Sequence, residues 1–253
     1  MHTLPHPHLP VHASSGHLLR AKALQDYLAA VHAVLAAYRE IPPVTLYVLD
    51  EAAWGRYSRY PYGFAFQRTG PAGVLEVFAP ARYPERLLTR LAEVFLEAAR
   101  AGARLPGPPR AFLDLALAHE YAHAAAIAWR LRVRVRWIDE FIANYLYVLA
   151  LAQQHPERYQ SARAWAAFTA HLTPTRTDLG GYERYPRKPL RDQLWFQGQF
   201  TLFAAHLLET DGDRLLRELL ARAPLKRATV HRVLVQLEPR FRGWFARFGR
   251  LGA

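Results

Sequence analysis

The sequence predicts an α+β fold: a small N-terminal β-sheet with packed helices, followed by a mostly helical C-terminal lobe. Three observations predict it. A stretch near the N-terminus has apolar residues at helical spacing, three short runs between residues 44 and 78 are rich in β-branched and aromatic residues, and helical spacing dominates after Pro84. Because the strand-like runs are confined to one part of the chain, we expect strands and helices to be segregated.

The first predicted helix covers residues 17–40. Its apolar residues recur every three or four positions and therefore share one helix face: Leu24, Tyr27, Leu28, Val31, Leu35 and Tyr38. Pro42 and Pro43 end this helix, because proline cannot continue the hydrogen-bond pattern. The three strand-like runs that follow are residues 44–49, 62–67 and 74–78.

The rest of the chain predicts helices that are separated by proline and glycine. They are expected at residues 85–101, 111–129, 139–153 and 156–172, with three or four more in the last 60 or so residues. Residues 130–136 alternate valine with arginine, which fits a strand or an extended loop. Residues 173–189 contain three prolines and two glycines and predict a long loop, a feature that is often functional in compact domains.

The sequence divides into three regions. Residues 1–16 are rich in histidine and proline, and because proline breaks any helical pattern they predict a flexible tail. Residues 17–135 are expected to form the N-terminal lobe. Residues 136–253 are expected to form the helical C-terminal lobe.

The composition excludes several classes of protein. Of the 253 residues, 51% are hydrophobic and 21% are charged, which is typical of a globular chain. There is no cysteine, so disulfides and thiolate metal sites are excluded. No apolar run approaches the roughly 20 residues that cross a bilayer, and no apolar segment of secretory type is seen. We therefore expect no membrane span and a cytoplasmic location.

The formal net charge is +12, and most of the basic residues are arginine. A basic surface attracts nucleic acid, anionic membranes or acidic substrates. No block of five like charges occurs, so the pattern favours a solvated, arginine-rich surface, with nucleic acid as the less favoured partner.

The helix predicted at residues 111–129 contains the motif HExxH, formed by His119, Glu120 and His123. Residues four apart lie on one helix face, so both imidazoles can point at one metal ion. Glu120 lies between them, where its carboxylate could take a proton from a water molecule that the metal polarises. Two histidines and a glutamate in an apolar helix need partners, and with no cysteine in the chain these ligand types favour zinc.

A catalytic zinc site needs a third protein ligand and an open position. Sixteen residues separate His123 from Glu140, enough for a turn and the start of another helix, so Glu140 is the predicted third ligand. Asn144 lies one turn later and is predicted to accept a hydrogen bond from a ligand imidazole. Asp139 is the rival ligand, but we interpret it as the N-cap of the second helix.

Two segments, LAHEYAH at residues 117–123 and WIDEFIANY at residues 137–145, resemble the motifs of the gluzincin metallopeptidases, in particular the bacterial peptidase-MA-like family. In that family HExxH is followed by Trp-hydrophobic-x-Glu-Gly-x-Ala-x-Tyr. The matching residues are Trp137, Glu140, Ala143 and Tyr145. The resemblance covers about residues 17–220, but only these two motifs are sharp.

The resemblance implies a zinc metallopeptidase with a zincin-like cleft between the lobes and a peptide or protein substrate. It implies one catalytic Zn²⁺ bound by His119, His123 and Glu140, with Glu120 as the general base. The sequence departs from the family at Phe141, where glycine is usual. A bulky side chain beside a metal ligand is expected to narrow the cleft.

Two roles stay open at the level of sequence. The group that stabilises the oxyanion or donates a proton has three candidates: Tyr182, Tyr185 and His171. The strand at residues 74–78 is either a sheet edge that pairs with extended substrate or an ordinary core strand.

Three other functions compete with a peptidase. A basic helical module that binds nucleic acid would explain the charge, although no nucleic-acid-binding motif is visible. An inactive relative that serves as a scaffold would explain the altered residue at Phe141. A hydrolase of another amide is the third, because zinc–water chemistry does not dictate a peptide substrate.

Overall fold

The computed structural model describes residues 1–184 and 189–243, and in it a five-stranded mixed sheet is covered by helices. The strands are β1 (His2–Leu4), β2 (Val11–Ala13), β3 (Val44–Leu49), β4 (Phe66–Thr69) and β5 (Leu75–Pro80). The helices are α1 (Leu18–Ala36), α2 (Glu51–Tyr57), α3 (Glu85–Arg100), α4 (Pro109–Ala128), α5 (Arg136–Gln154), α6 (Pro156–Thr169), α7 (Leu179–Arg184), α8 (Leu190–Asp211), α9 (Arg214–Ala221) and α10 (Val230–Leu237). The predicted α+β fold with a mostly helical second part is confirmed.

The strand order is β1-β2-β3-β5-β4. β3 runs parallel to both β2 and β5, whereas β1 and β4 are antiparallel to their single neighbours. Leu46, Val48 and Val77 belong to the core that the sheet shares with α1 and α4, and all three are fully buried. On the opposite face, Phe78 stacks on Phe66 of the edge strand at 4.6 Å between ring centroids. The strand order places β4 at the edge of the sheet, where it contacts α4.

Residues 1–16 are not a flexible tail, and that prediction was wrong. They contribute β1 and β2 to the sheet, with Leu9 and Val11 fully buried. Prolines exclude a helix but are compatible with an extended edge segment, because their carbonyl groups can still accept hydrogen bonds. The Leu46 N–H donates to the Pro10 carbonyl at 2.9 Å, and the Val44 N–H donates to the His8 carbonyl at 3.0 Å.

The second predicted strand, residues 62–67, begins later than expected, at Phe66. Gly63 has φ +129°, a backbone conformation that L-residues rarely adopt, and it interrupts the strand there. The chain also passes close to α3 at this point, since a Cβ on Gly63 would lie 2.7 Å from Leu87 Cδ2. Residues 58–65 are therefore a loop that leads into the edge strand.

The strand predicted at residues 74–78 is β5, which is a buried inner strand. It lies between β3 and β4, and every residue from Leu75 to Pro80 is buried. Of the two readings left open by the sequence, the core strand is the one observed. The edge next to α4 is formed by β4.

For two segments between helices, the prediction from the sequence was ambiguous or wrong. Residues 130–135 are a loop, and residue 136 already belongs to α5; in this loop Arg130 and Arg134 have φ values of +60° and +58° while Leu131 and Val133 are buried. The region 173–189 is not a continuous loop, because it contains α7. The buried side chain of Leu179 anchors this short helix to the core.

One continuous cluster of buried residues includes members from both sides of residue 135, so α4 and α5 share a core. α5 packs against α1, α4, α6 and α8. Within residues 1–184 and 189–243, no helix is both long and apolar enough to cross a membrane.

Candidate metal centre

The HExxH motif lies in the middle of α4, with both imidazoles on one face of the helix. Pro109 occupies the first turn of α4, where a missing N–H is tolerated, and the apolar residues that follow bury the helix. The Nε2 atoms of His119 and His123 are 3.1 Å apart. The i,i+4 spacing thus brings two potential ligand atoms together, as the sequence predicts.

The carboxylate of Glu140 reaches the same point from α5. Its Oε2 atom lies 3.1 Å from His119 Nε2 and 3.6 Å from His123 Nε2. In a tetrahedral site with metal–ligand bonds of about 2.0–2.1 Å, the ligand atoms are about 3.3 Å apart. The three separations bracket that value, so the donor set fits a small divalent ion. In the described part of the chain, this is the one group of three or more His, Cys, Asp or Glu side chains whose ligand atoms lie within 4.8 Å of one another.

Asp139 does not belong to this group of converging ligand atoms, and it is not the N-cap of α5, contrary to prediction. The helix begins three residues earlier, at Arg136, with Val135 as its N-cap. The Asp139 carboxylate accepts a hydrogen bond of 2.8 Å from the Val133 N–H of the preceding loop. The buried valines draw the loop inward, so its backbone N–H needs an internal acceptor. Asp139 supplies that acceptor, which leaves Glu140 as the carboxylate that faces the histidines.

Opposite charges inside the site shift the pKa values of two predicted ligands. Burial alone would lower the pKa of His123, but the charge of Glu140 and its hydrogen bond to His123 raise that pKa to about 9. Burial opposes ionisation of Glu140, yet the two histidines hold its pKa well below its usual range. An ion that binds here must therefore displace a proton from His123 at neutral pH, since only a neutral imidazole can be a ligand.

Glu120 is half-buried and lines the cavity beside the three ligand atoms. Burial and the charge of Glu140 raise the pKa of Glu120, whereas His123, His119 and the backbone N–H of Gln67 lower it. The net shift is upward. A raised pKa brings a carboxylate closer to the range in which a general base operates at neutral pH.

A chain of hydrogen bonds from α8 holds the Glu140 carboxylate in place. Gln197 Nε2 donates to Glu140 Oε2 at 2.6 Å, and Gln197 Oε1 accepts from Asn144 Nδ2 at 2.6 Å. The Asn144 carbonyl oxygen is itself occupied by the Thr201 hydroxyl at 2.7 Å. Asn144 therefore helps to hold the Glu140 carboxylate through Gln197. The predicted hydrogen bond from an imidazole to Asn144 is replaced by the one from Thr201.

Sequence reasoning missed Gln197, Thr201 and Tyr147. The ring of Tyr147 packs edge-on to His119, with 5.9 Å between centroids, and also lines the cavity. Tyr147 lies seven residues after Glu140 on α5, so helical spacing could have indicated it. Gln197 lies 57 residues from Glu140, and no local pattern connects the two.

The three residues that the sequence offers for stabilising the oxyanion or donating a proton differ in their position relative to the cavity. His171 is exposed just beyond the end of α6 and does not line the cavity. Tyr182 is buried in α7 against Phe196 and Phe200, also outside the cavity lining; burial and the charge of Glu140 raise its pKa well above the usual value. Tyr185 lies outside the described residues.

Phe141 does not narrow the cleft, so that prediction was wrong. Its side chain is fully buried and packs against Phe203 and Phe241, with centroid distances of 5.8 and 5.2 Å. It does not line the cavity beside the ligands. Consecutive residues on a helix point about 100° apart, and the ring therefore lies in the core while Glu140 points to the site.

The cavity beside the ligand atoms has a volume of about 350 Å³. Its walls come from α4, α5, α6, α8 and the loop before β4, so the ligand atoms and Glu120 lie at a place where several parts of the fold meet. No protein-family model, curated protein or solved structure matches the chain.

Proposed function

We propose that the protein is a zinc-dependent metallopeptidase of the gluzincin type. The observation that supports this most strongly is the convergence of three ligand atoms, from His119, His123 and Glu140, beside a cavity that Glu120 also lines. Two imidazoles and a carboxylate are a ligand set of catalytic zinc sites, where a fourth position stays free for water or substrate. A bound zinc ion would supply Lewis acidity, lowering the pKa of water and polarising a carbonyl group.

In the proposed reaction, Glu120 moves the proton. Its carboxylate accepts a proton from the attacking water molecule while the water oxygen forms a bond to the carbonyl carbon of the scissile amide. Glu120 then delivers this proton to the amide nitrogen as the C–N bond breaks, which yields a carboxylic acid and an amine. The second proton of the water molecule stays on the carboxylic acid, which ionises at neutral pH.

A peptide is the favoured substrate because an edge strand of the described sheet borders the site. Phe66, the first residue of β4, and Ala65 just before it line the cavity. The free side of an edge strand can pair with an extended peptide backbone. A small amide lacking extended backbone would not use this edge.

The proposal is tested by hydrolysis of denatured casein, with products identified by mass spectrometry. We expect cleavage that is lost after complete removal of metal with 1,10-phenanthroline and restored by one equivalent of Zn²⁺ per chain. Cleavage that persists in protein shown to contain no metal would contradict the proposal. Stoichiometric zinc without cleavage of any peptide tested would instead favour the non-catalytic scaffold.

Gln197→Leu is expected to weaken affinity for Zn²⁺ about 10–100-fold. The variant removes the donor that orients Glu140 and one of the two acceptors of the Asn144 amide, which keeps its hydrogen bond to the Glu140 backbone carbonyl. Affinity is measured by competition with a chromophoric chelator. Gln193→Leu is the matched control, because Gln193 lies one turn earlier on the same helix and lines the cavity, whereas the hydrogen bond from α8 to the Glu140 carboxylate comes from Gln197. Equal affinities for both variants and the unmodified protein would show that the hydrogen-bond chain does not support the metal.

A further inference from the structure

We infer that the cavity beside Glu120 is a specificity pocket for a bulky apolar side chain of the substrate, preferably an aromatic one. This inference rests on the proposed function and names the class of peptide that it would cleave. It also predicts a binding property that requires neither metal nor catalysis. The observations that carry it are the size of the cavity, the chemistry of its walls and the side chains at its mouth.

The volume suits a large side chain. An apolar cavity of about 150 Å³ is large enough to bind benzene. At about 350 Å³, this cavity holds an aromatic ring together with part of the backbone that carries it. It is also connected to the ligand atoms, since His119, Glu120 and Glu140 line the same space.

Away from the three ionisable residues at the metal site, the cavity walls offer no ion-pair partner for a charged side chain. Apart from His119, Glu120 and Glu140, the residues that line the cavity include no His, Asp, Glu, Lys or Arg. A charged substrate group placed there would lose its hydration without gaining an ion pair, and such burial is strongly disfavoured. The pocket therefore discriminates against basic and acidic side chains.

α6 lines the cavity with small side chains and one aromatic ring. Ala162, Trp165, Ala166 and Thr169 recur at spacings of three and four, so one face of this helix lines the cavity. The two alanines are small enough to leave the space open. Trp165 packs against Phe112 with 5.3 Å between centroids and an interplanar angle of 57°, and a substrate ring entering here would find aromatic edges and faces to pack against.

Two exposed aromatic side chains line the cavity where it opens to solvent. Tyr60 is 67% exposed and Phe64 is 39% exposed, and both line the cavity from the loop before β4. Large apolar residues exposed together next to a cavity commonly mark a binding surface. Entry of an apolar side chain would bury them.

The pocket is tested first by binding. The probes are N-acetyl-phenylalanine amide and N-acetyl-lysine amide, titrated by NMR into the full chain after its metal has been removed. We expect the phenylalanine probe to bind at least about 10-fold more tightly than the lysine probe. A difference of one methylene group in a hydrophobic pocket already changes discrimination by about this factor. Equal binding of the two probes would overturn the inference.

A pair of neighbouring alanines provides matched variants. Ala166→Leu places a larger side chain in the pocket, whereas Ala167→Leu makes the same change at the next residue, which is exposed. We expect Ala166→Leu to lower the affinity for the phenylalanine probe at least about 10-fold and Ala167→Leu to leave that affinity unchanged. Unchanged binding in Ala166→Leu would contradict the assignment. If Ala166→Leu fails to fold by circular dichroism, Ala162→Leu with the exposed control Ala164→Leu replaces the pair.

Cleavage of a peptide library then separates the pocket from the catalytic proposal. We expect an aromatic or large aliphatic residue at one fixed position beside every cleaved bond. Selective probe binding without hydrolysis would uphold the pocket and count against the peptidase. Hydrolysis with no preference at any position would uphold the peptidase and overturn the pocket.

Discussion

Glu120→Gln is expected to lower the rate of peptide hydrolysis by about 10²–10⁴-fold while the zinc content of the protein stays unchanged. Glutamine has nearly the same shape as glutamate but cannot accept the proton of the attacking water. Glu120 does not belong to the group whose ligand atoms converge, so its replacement leaves the metal ligands intact. The measurement is kcat on a peptide from casein, together with elemental analysis of the same sample.

Two further variants make this result specific. Glu140→Gln is expected to lose both metal and hydrolysis, because it weakens a ligand and not the base. Glu93→Gln, at an exposed position on α3, is expected to lose neither. If Glu120→Gln kept the full rate, or lost its zinc as Glu140→Gln does, Glu120 could not be the base.

Phe141→Ala is expected to lower the free energy of unfolding by about 3–5 kcal/mol. The ring is fully buried against Phe203 and Phe241, so the shorter side chain leaves a cavity in the core and removes the aromatic contacts of this ring. The measurement is urea unfolding followed by circular dichroism. Because the ring does not line the site, the affinity of the folded protein for Zn²⁺ is expected to stay within a few-fold of the unmodified value.

Phe64→Ala is the matched control for the stability prediction. Phe64 is 39% exposed, and its replacement is expected to cost under about 1 kcal/mol. A loss of less than about 1 kcal/mol in Phe141→Ala would show that this side chain is not a core residue. A large change in zinc affinity would show that it borders the metal site after all.

The parts of the site that depend on local spacing were predictable from the sequence. His119 and His123 share a face because the helical repeat places residues four apart together, whatever the rest of the fold does. Glu140 follows at a distance that one turn between two helices can close. α4 and α5 were therefore predicted close to their observed bounds, and their three side chains meet.

The parts that depend on distant contacts were not predictable. Gln197 reaches Glu140 only because α8 packs on α5, and no periodicity in the sequence encodes that packing. The first 16 residues were misjudged for the same reason, since the partner of β2 is β3, more than 30 residues later. Asp139 shows a different limit. Helix-capping preferences predicted it as an N-cap, but its carboxylate instead accepts a hydrogen bond from the Val133 N–H.

The most direct measurement is the zinc content of the purified chain, determined by elemental analysis for the unmodified protein, His119→Ala and His171→Ala. Convergence of His119, His123 and Glu140 on one ion predicts about one zinc per chain in the unmodified protein, close to none in His119→Ala, and about one in His171→Ala, which removes an exposed histidine away from the site. A similar amount in all three proteins, or none in any of them, would contradict the metal centre.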